Sequence, residues 1–142
     1  VREIKAPPIF VGDVRGTNER DAIRLQVSLR QALRSQGARV ANSATDETLV
    51  ATADVVITPL PDDQSEVAIA WVVKDPFETQ IGKIDQASPI DRSVIETQWG
   101  DLARQAGIAA ATGMVRLISQ IDWSKGFVPP GPESGKPNGE SR

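Results

Sequence analysis

The sequence predicts an α+β domain: a strand–helix–strand unit, then an antiparallel β-meander, then a long C-terminal helix packed on the sheet. Three patterns carry that expectation. Ala22, Leu25, Leu29, Ala32 and Leu33 fall on one face at helical spacing. Val67, Ile69, Trp71 and Val73 alternate with Ala68, Ala70 and Val72, as in a strand with two apolar or small faces. Ile95, Trp99, Leu102, Ala103, Ala106, Ala110, Gly113, Met114, Leu117 and Ile121 form one stripe on a helical wheel.

Taken in order, residues 1–7 read as an extended lead-in, because Pro7 and Pro8 donate no ladder hydrogen bonds. Ile9-Phe10-Val11 is the first strand, and Gly12 to Gly16 a glycine-bracketed turn. Thr17, Asn18 or Asp21 supplies a helix cap, and Gly37 is placed to end the helix in a left-handed conformation. Ala38 to Ala41 is a short second strand. Leu49–Leu60, Val67–Lys74 and Gln80–Asp85 follow as strands of the meander, separated by Pro61 to Ser65 and by Asp75 to Thr79, both with turn chemistry. Ser93-Val94-Ile95-Glu96 has the form of a capping box opening one helix to about Ile121. The small residues of that helix, Ala106, Gly107, Ala109 to Ala111 and Gly113, suit close backbone approach, which offsets a helical glycine's loss of about 1 kcal/mol relative to alanine. The domain thus spans residues 8–124, and the Pro- and Gly-rich residues 125–142 are expected to be a disordered tail.

Composition narrows the function. The chain of 142 residues has a net charge of −3, which argues against affinity built on many phosphate contacts, so no nucleic-acid partner is expected. Histidine, cysteine and tyrosine are absent, which removes the commonest nucleophiles, proton shuttles and soft metal ligands. The expectation is a protein without catalytic residues, cofactor or metal. No apolar run approaches the roughly 18 residues needed to span a bilayer. The chain starts at Val1, so any targeting segment is expected to be already removed, and membrane attachment would come only through a lost N-terminal anchor.

Three groupings are candidates for chemistry. Gly12 to Gly16 lies where phosphate-cradling loops occur, but it lacks their spacing and reads foremost as a turn. Asp62, Asp63 and Glu66, and separately Asp75 and Glu78, are carboxylate groups whose default place is an exposed hairpin turn. The third is the most informative. Arg20, Arg24, Arg30 and Arg34 project into one arc opposite the core face of the first helix, with Ile23 and Val27 inside it. Forked guanidinium donors around aliphatic area suit a protein-binding face, against the blander alternative of a solvated face whose arginine stems cover two aliphatics. Trp71 and Trp99 fall on core faces, whereas Trp123 is placed to lie near the surface, and Phe127 with Val128 offers a short docking segment.

The run Ala68-Ile-Ala-Trp-Val-Val-Lys-Asp-Pro, then Gln80-Ile-Gly-Lys-Ile-Asp-Gln, then Gln98-Trp-Gly-Asp-Leu-Ala and Ala109-Ala-Ala-Thr-Gly resembles uncharacterised outer-membrane lipoproteins of Gram-negative bacteria. At fold level the arrangement is also similar to the N-terminal domain of TolB and to the lipoprotein activators of penicillin-binding proteins. The likeness covers roughly residues 8–122 and departs at Phe77-Glu78, where a turn glycine is expected. It implies an exported, non-catalytic periplasmic domain, tethered to the membrane, that assembles with envelope protein partners or with itself. A carboxylate-based hydrolase or transferase and a small-molecule sensor are the alternatives. The former needs two acids converging in a pocket, and the latter an apolar cleft between sheet and long helix.

Overall fold

In the computed structural model, which describes residues 6–121 and 123, strand β1 (Ile9–Arg15) leads through a glycine turn into helix α1 (Glu19–Ser35). Strand β2 (Val40–Ala41) and the meander β3 (Leu49–Leu60), β4 (Gln64–Lys74) and β5 (Gln80–Asp91) follow. A short helix α2 (Arg92–Thr97) and the long helix α3 (Trp99–Ser119) complete the domain. The five strands lie in the order β2-β1-β3-β4-β5. β1 pairs in parallel with β2 and β3, and the meander pairs are antiparallel, so the expected α+β architecture is present with β4 as an interior strand. Residues 1–5 and 124–142 lie outside the described residues, and with them most of the lead-in, the tail and its Phe127-Val128 segment.

The core follows from strand alternation. Ile9, Val11 and Val14 of β1, Leu49, Ala51, Ala53 and Val55 of β3, and Val67, Ile69, Trp71 and Val73 of β4 are buried on one face. α1 adds Leu25, Leu29, Ala32 and Leu33, and α3 adds Trp99, Ala103, Ala110, Ala111, Met114 and Ile118. Both helices therefore cover the same face, and no described element covers the other. Ala68, Ala70 and Val72 are only half-buried there, and Val56 is exposed. At Gly107 a Cβ would stand 2.8 Å from the Ser28 backbone of α1, so the small-residue stripe sets the approach of the two helices. Trp71 is fully buried, and its indole N–H donates to Gln86 Oε1 at 2.8 Å. Gln86 in turn donates to the Ala106 carbonyl of α3, so the sheet and helix are joined by satisfied polar groups.

Several local expectations are corrected. β1 does not stop at Val11: it continues to Arg15 through a register shift, and only Gly16, at φ +94°, makes the turn. A Cβ at Gly16 would collide with the Val55 carbonyl oxygen, so this glycine fixes where α1 leaves the sheet. Asn18 is the cap, its Oδ1 accepting from the Asp21 amide at 2.8 Å. The single helix from Ser93 is two helices, because β5 pairs out to Asp91 and the helix starts at Arg92. Ser93 is then inside the first turn, and α2 has no side-chain cap. The chain bends at Gln98 (φ −129°, ψ 32°), which directs the Trp99 indole N–H to the Asp21 carbonyl at 3.2 Å. The turn that lacks the expected glycine places Glu78 at φ +67°, held by the Asp75 carboxylate accepting from the Phe77 and Thr79 amides. Trp123 is half-buried against the core, donating to the Ile118 carbonyl at 2.8 Å.

Candidate functional site

Helix α1 presents the predicted face outward. Arg20, Arg24 and Arg34 are exposed, Ile23 is 47% exposed, and Val27 and Arg30 are half-buried on the same side. The opposite side carries the buried leucines, which fixes the helix in rotation. None of the four guanidinium groups forms an ion pair among the described residues. Their donor capacity is met by solvent, which leaves it available to an acidic partner at little desolvation cost.

The N-terminal part of this face borders a cleft of about 490 Å³. Arg20 and Arg24 from α1 form one wall, Ile95, Glu96 and Thr97 from α2 another, and Ile57 and Trp99 contribute apolar surface. Arg24 lies over Gly100, where a Cβ would stand 2.7 Å from a guanidinium nitrogen. α3 begins with no side-chain cap, and Asp101 in its first turn offsets the positive end of the helix. The cleft thus sets Arg20 and Arg24 beside two acids, Asp21 and Glu96, and apolar surface, and a carboxylate-bearing group would be met there by the two guanidinium groups. Sequence patterning identified its two arginines but not Ile57, Ile95 or Glu96. The one available signal for Ile57 was the unbroken apolar run Val55-Val56-Ile57, which places an aliphatic on each face at the end of a strand.

The acidic groups are distributed differently. Asp62 and Asp63 occupy the β3–β4 turn at φ +65° and +59°, both exposed, with Asp63 loosely paired to Arg92 at 3.8 Å. Glu66 lies exposed on β4. Asp75, only 7% exposed, is engaged by the amides of its own turn. Asp13, Asp75 and Glu78 do border a shallow groove of about 420 Å³ over the uncovered sheet face. Among the described residues, no three acids are grouped so as to hold a metal ion. A further cleft of about 440 Å³ separates β5 from α3 and is lined by Val67, Ile69, Ile90, Leu102 and Ala106 with Gln86. No described helix is long and apolar enough to cross a membrane.

No protein-family model and no curated protein matches the chain. The fold is nevertheless found in solved structures. A minor lipoprotein from Acinetobacter baumannii superposes with a TM-score of 0.50 at 13% identity, over 82% of this chain and 93% of that one. PelC from Paraburkholderia phytofirmans, crystallised as a dodecamer, gives a TM-score of 0.53 at 12% identity, over 78% of this chain and 89% of its own. An uncharacterised protein gives 0.52 at 12% identity, over 81% and 95%. The chain thus shares its fold with these structures and spans nearly their full length. At such identities the likeness concerns the fold alone.

Proposed function

We propose that this chain is a non-catalytic periplasmic module of the bacterial cell envelope, tethered to the membrane, that binds or assembles with envelope proteins through the outward face of α1. The observation that carries this is the set of four arginines, Arg20, Arg24, Arg30 and Arg34, with no ion-pair partner among the described residues, set around Ile23 and Val27 on a helix whose other side is fully committed to the core. Aliphatic area inside a ring of forked donors is the composition of a recognition surface, while a merely solvating face has no need of Ile23 half in water. The shared fold of a minor lipoprotein and of a dodecameric protein supports an envelope setting and an assembly role. The likeness to the TolB N-terminal domain and to the lipoprotein activators rests on the sequence.

The test is a pull-down from envelope extracts with the chain and with its Arg24→Glu, Arg34→Glu variant. Loss of a specific partner in the variant is expected, and undiminished recovery would remove the α1 face from consideration. A second possibility, small-molecule sensing, draws on the apolar cleft between β5 and α3. Saturable binding of an apolar probe that is lost on Ala106→Phe would favour it.

A further inference from the structure

Opposite charges meet at one end of this molecule, and among the described residues the α1 arginines pair with none of the acids there; Asp54 is held by Arg15 at 3.1 Å and Asp63 only loosely by Arg92 at 3.8 Å. From Asp54 to Val73 the chain carries four acids, Asp54, Asp62, Asp63 and Glu66, and no lysine or arginine. α1 carries four arginines against Glu19 and Asp21. Gly16, packed against Val55, starts α1 beside β3, and Ile57 shares the cleft with Arg20 and Arg24. The hairpin acids lie five and six residues beyond Ile57, about 15–20 Å along an extended strand, and neither pairs with Arg20 or Arg24 of the same copy; among the described residues Arg92 alone approaches Asp63, at 3.8 Å. The hairpin also projects past the helix layer: Val56, Ile57, Thr58 and Pro59 are all exposed although consecutive residues point to opposite faces, with Val56 59% exposed.

We propose that two copies of this chain associate about a twofold axis, the β3–β4 hairpin of each entering the other's cleft between α1 and α2. This rests on the reading of α1 as a binding face and names its occupant. Asp62 and Asp63 meet Arg20 and Arg24, while the exposed Val56 supplies apolar surface to the cleft that Ile57, Ile95 and Trp99 line. Because both patches lie at the same end, one twofold operation satisfies both contacts at once, as an isologous interface requires. The complementarity is reciprocal, so reversing the charge of either patch opposes like charges in both contacts, and mixing two oppositely reversed copies restores them.

The experiment is sedimentation of the full chain over a concentration series at low and high salt, together with two variants, Arg20→Glu with Arg24→Glu and Asp62→Arg with Asp63→Arg. The chain is expected to show a dimer mass that falls by half at high salt. Each variant alone is expected to be monomeric, and their equimolar mixture dimeric. A monomeric wild type, or a mixture that stays monomeric while both variants keep the wild-type circular dichroism, overturns the proposal. Since the chain has no cysteine, a milder pair guards against misfolding: Arg20→Cys and Asp62→Cys copies should cross-link to each other in preference to themselves, and equal self-linking counts against the docking mode. If these arms fail while Arg24→Glu, Arg34→Glu still abolishes recovery of an envelope partner, only self-association falls. If that recovery is also unchanged, the α1 face falls with it.

Discussion

Gly107 and Gly113 lie on the same helix and would both be read from sequence as sites where alanine adds helix propensity, yet the structure separates them. A Cβ at Gly107 stands 2.8 Å from the Ser28 backbone carbon, 2.8 Å from Ser28 Cβ and 3.0 Å from the Leu29 nitrogen. These are main-chain atoms of a packed helix, so relief requires α1 and α3 to move apart. Overpacking of that kind costs about 1–3 kcal/mol, and the upper part of that range applies because main-chain atoms must move; against about 1 kcal/mol recovered from propensity, about 2–3 kcal/mol of overpacking leaves Gly107→Ala destabilised by about 1–2 kcal/mol. At Gly113 the nearest atom is Ile84 Cδ1 at 2.9 Å, the far end of a half-buried side chain that can rotate. Gly113→Ala is therefore expected to be neutral or stabilising by up to about 1 kcal/mol. Thermal unfolding followed by circular dichroism reads the difference: for a domain of this size Gly107→Ala lowers Tm by about 4–8 °C and Gly113→Ala does not. If both alanines raise Tm alike, the α1–α3 contact is not set by backbone approach and the packing described above is wrong.

Other substitutions probe the remaining levels of the structure. Gln86→Leu removes the acceptor of the buried Trp71 indole N–H and the donor to the Ala106 carbonyl, and urea unfolding should show a loss of about 2–3 kcal/mol, whereas a surface polar change would cost under about 0.5 kcal/mol. Asn18→Ala deletes the α1 cap and should cost about 1 kcal/mol in the same assay, with Asn18→Asp near neutral. Asp62→Gly relieves a positive φ and should raise stability by up to about 1 kcal/mol; combined with Asp63→Gly it should also lower the dimer mass seen in sedimentation, so that stability and association move in opposite directions.

What the sequence disclosed was governed by periodicity. The core faces of α1, β4 and α3 were readable because each buries one side only, so the apolar pattern repeats at 3.6 or 2 residues, and Trp71 and Trp99 fell where that repeat put them. Boundaries were less legible, because they depend on pairing with distant residues. β5 was expected to end at Asp85 but continues to Asp91, since Gln64 to Val67 of β4 extend far enough to pair with it. That extension is what turns Ser93 from a cap into an interior residue and divides the predicted helix at Gln98. The arginine arc was legible as a face, but the cleft beside it was not. Ile57 is far in sequence from Ile95 and Trp99, and the three converge only through the bend at Gln98 and the pairing of β1 with β3.

The places where local rules are broken are unevenly compensated. Glu78 has a positive φ, but the Asp75 carboxylate accepts two amide hydrogen bonds there, which closes the turn and offsets the strain. Gly16 and Gly37 adopt positive φ with the one residue type that does so freely. Asp62 and Asp63 have neither relief. Asp62 makes no side-chain hydrogen bond, Asp63 has only a 3.8 Å contact to Arg92 from a fully solvated carboxylate, and two like charges stand side by side in a conformation that glycine would adopt at lower cost. At that same end, Val56 and Ile57 expose aliphatic surface, and Arg20 and Arg24 lack ion pairs. Uncompensated backbone strain at one end of a domain whose core is satisfied is expected where a surface serves something outside the chain. The asymmetry between Glu78, which is stabilised from within, and Asp62-Asp63, which is not, is the physical reason for locating contact with another molecule at the hairpin end and not at the Asp75 turn.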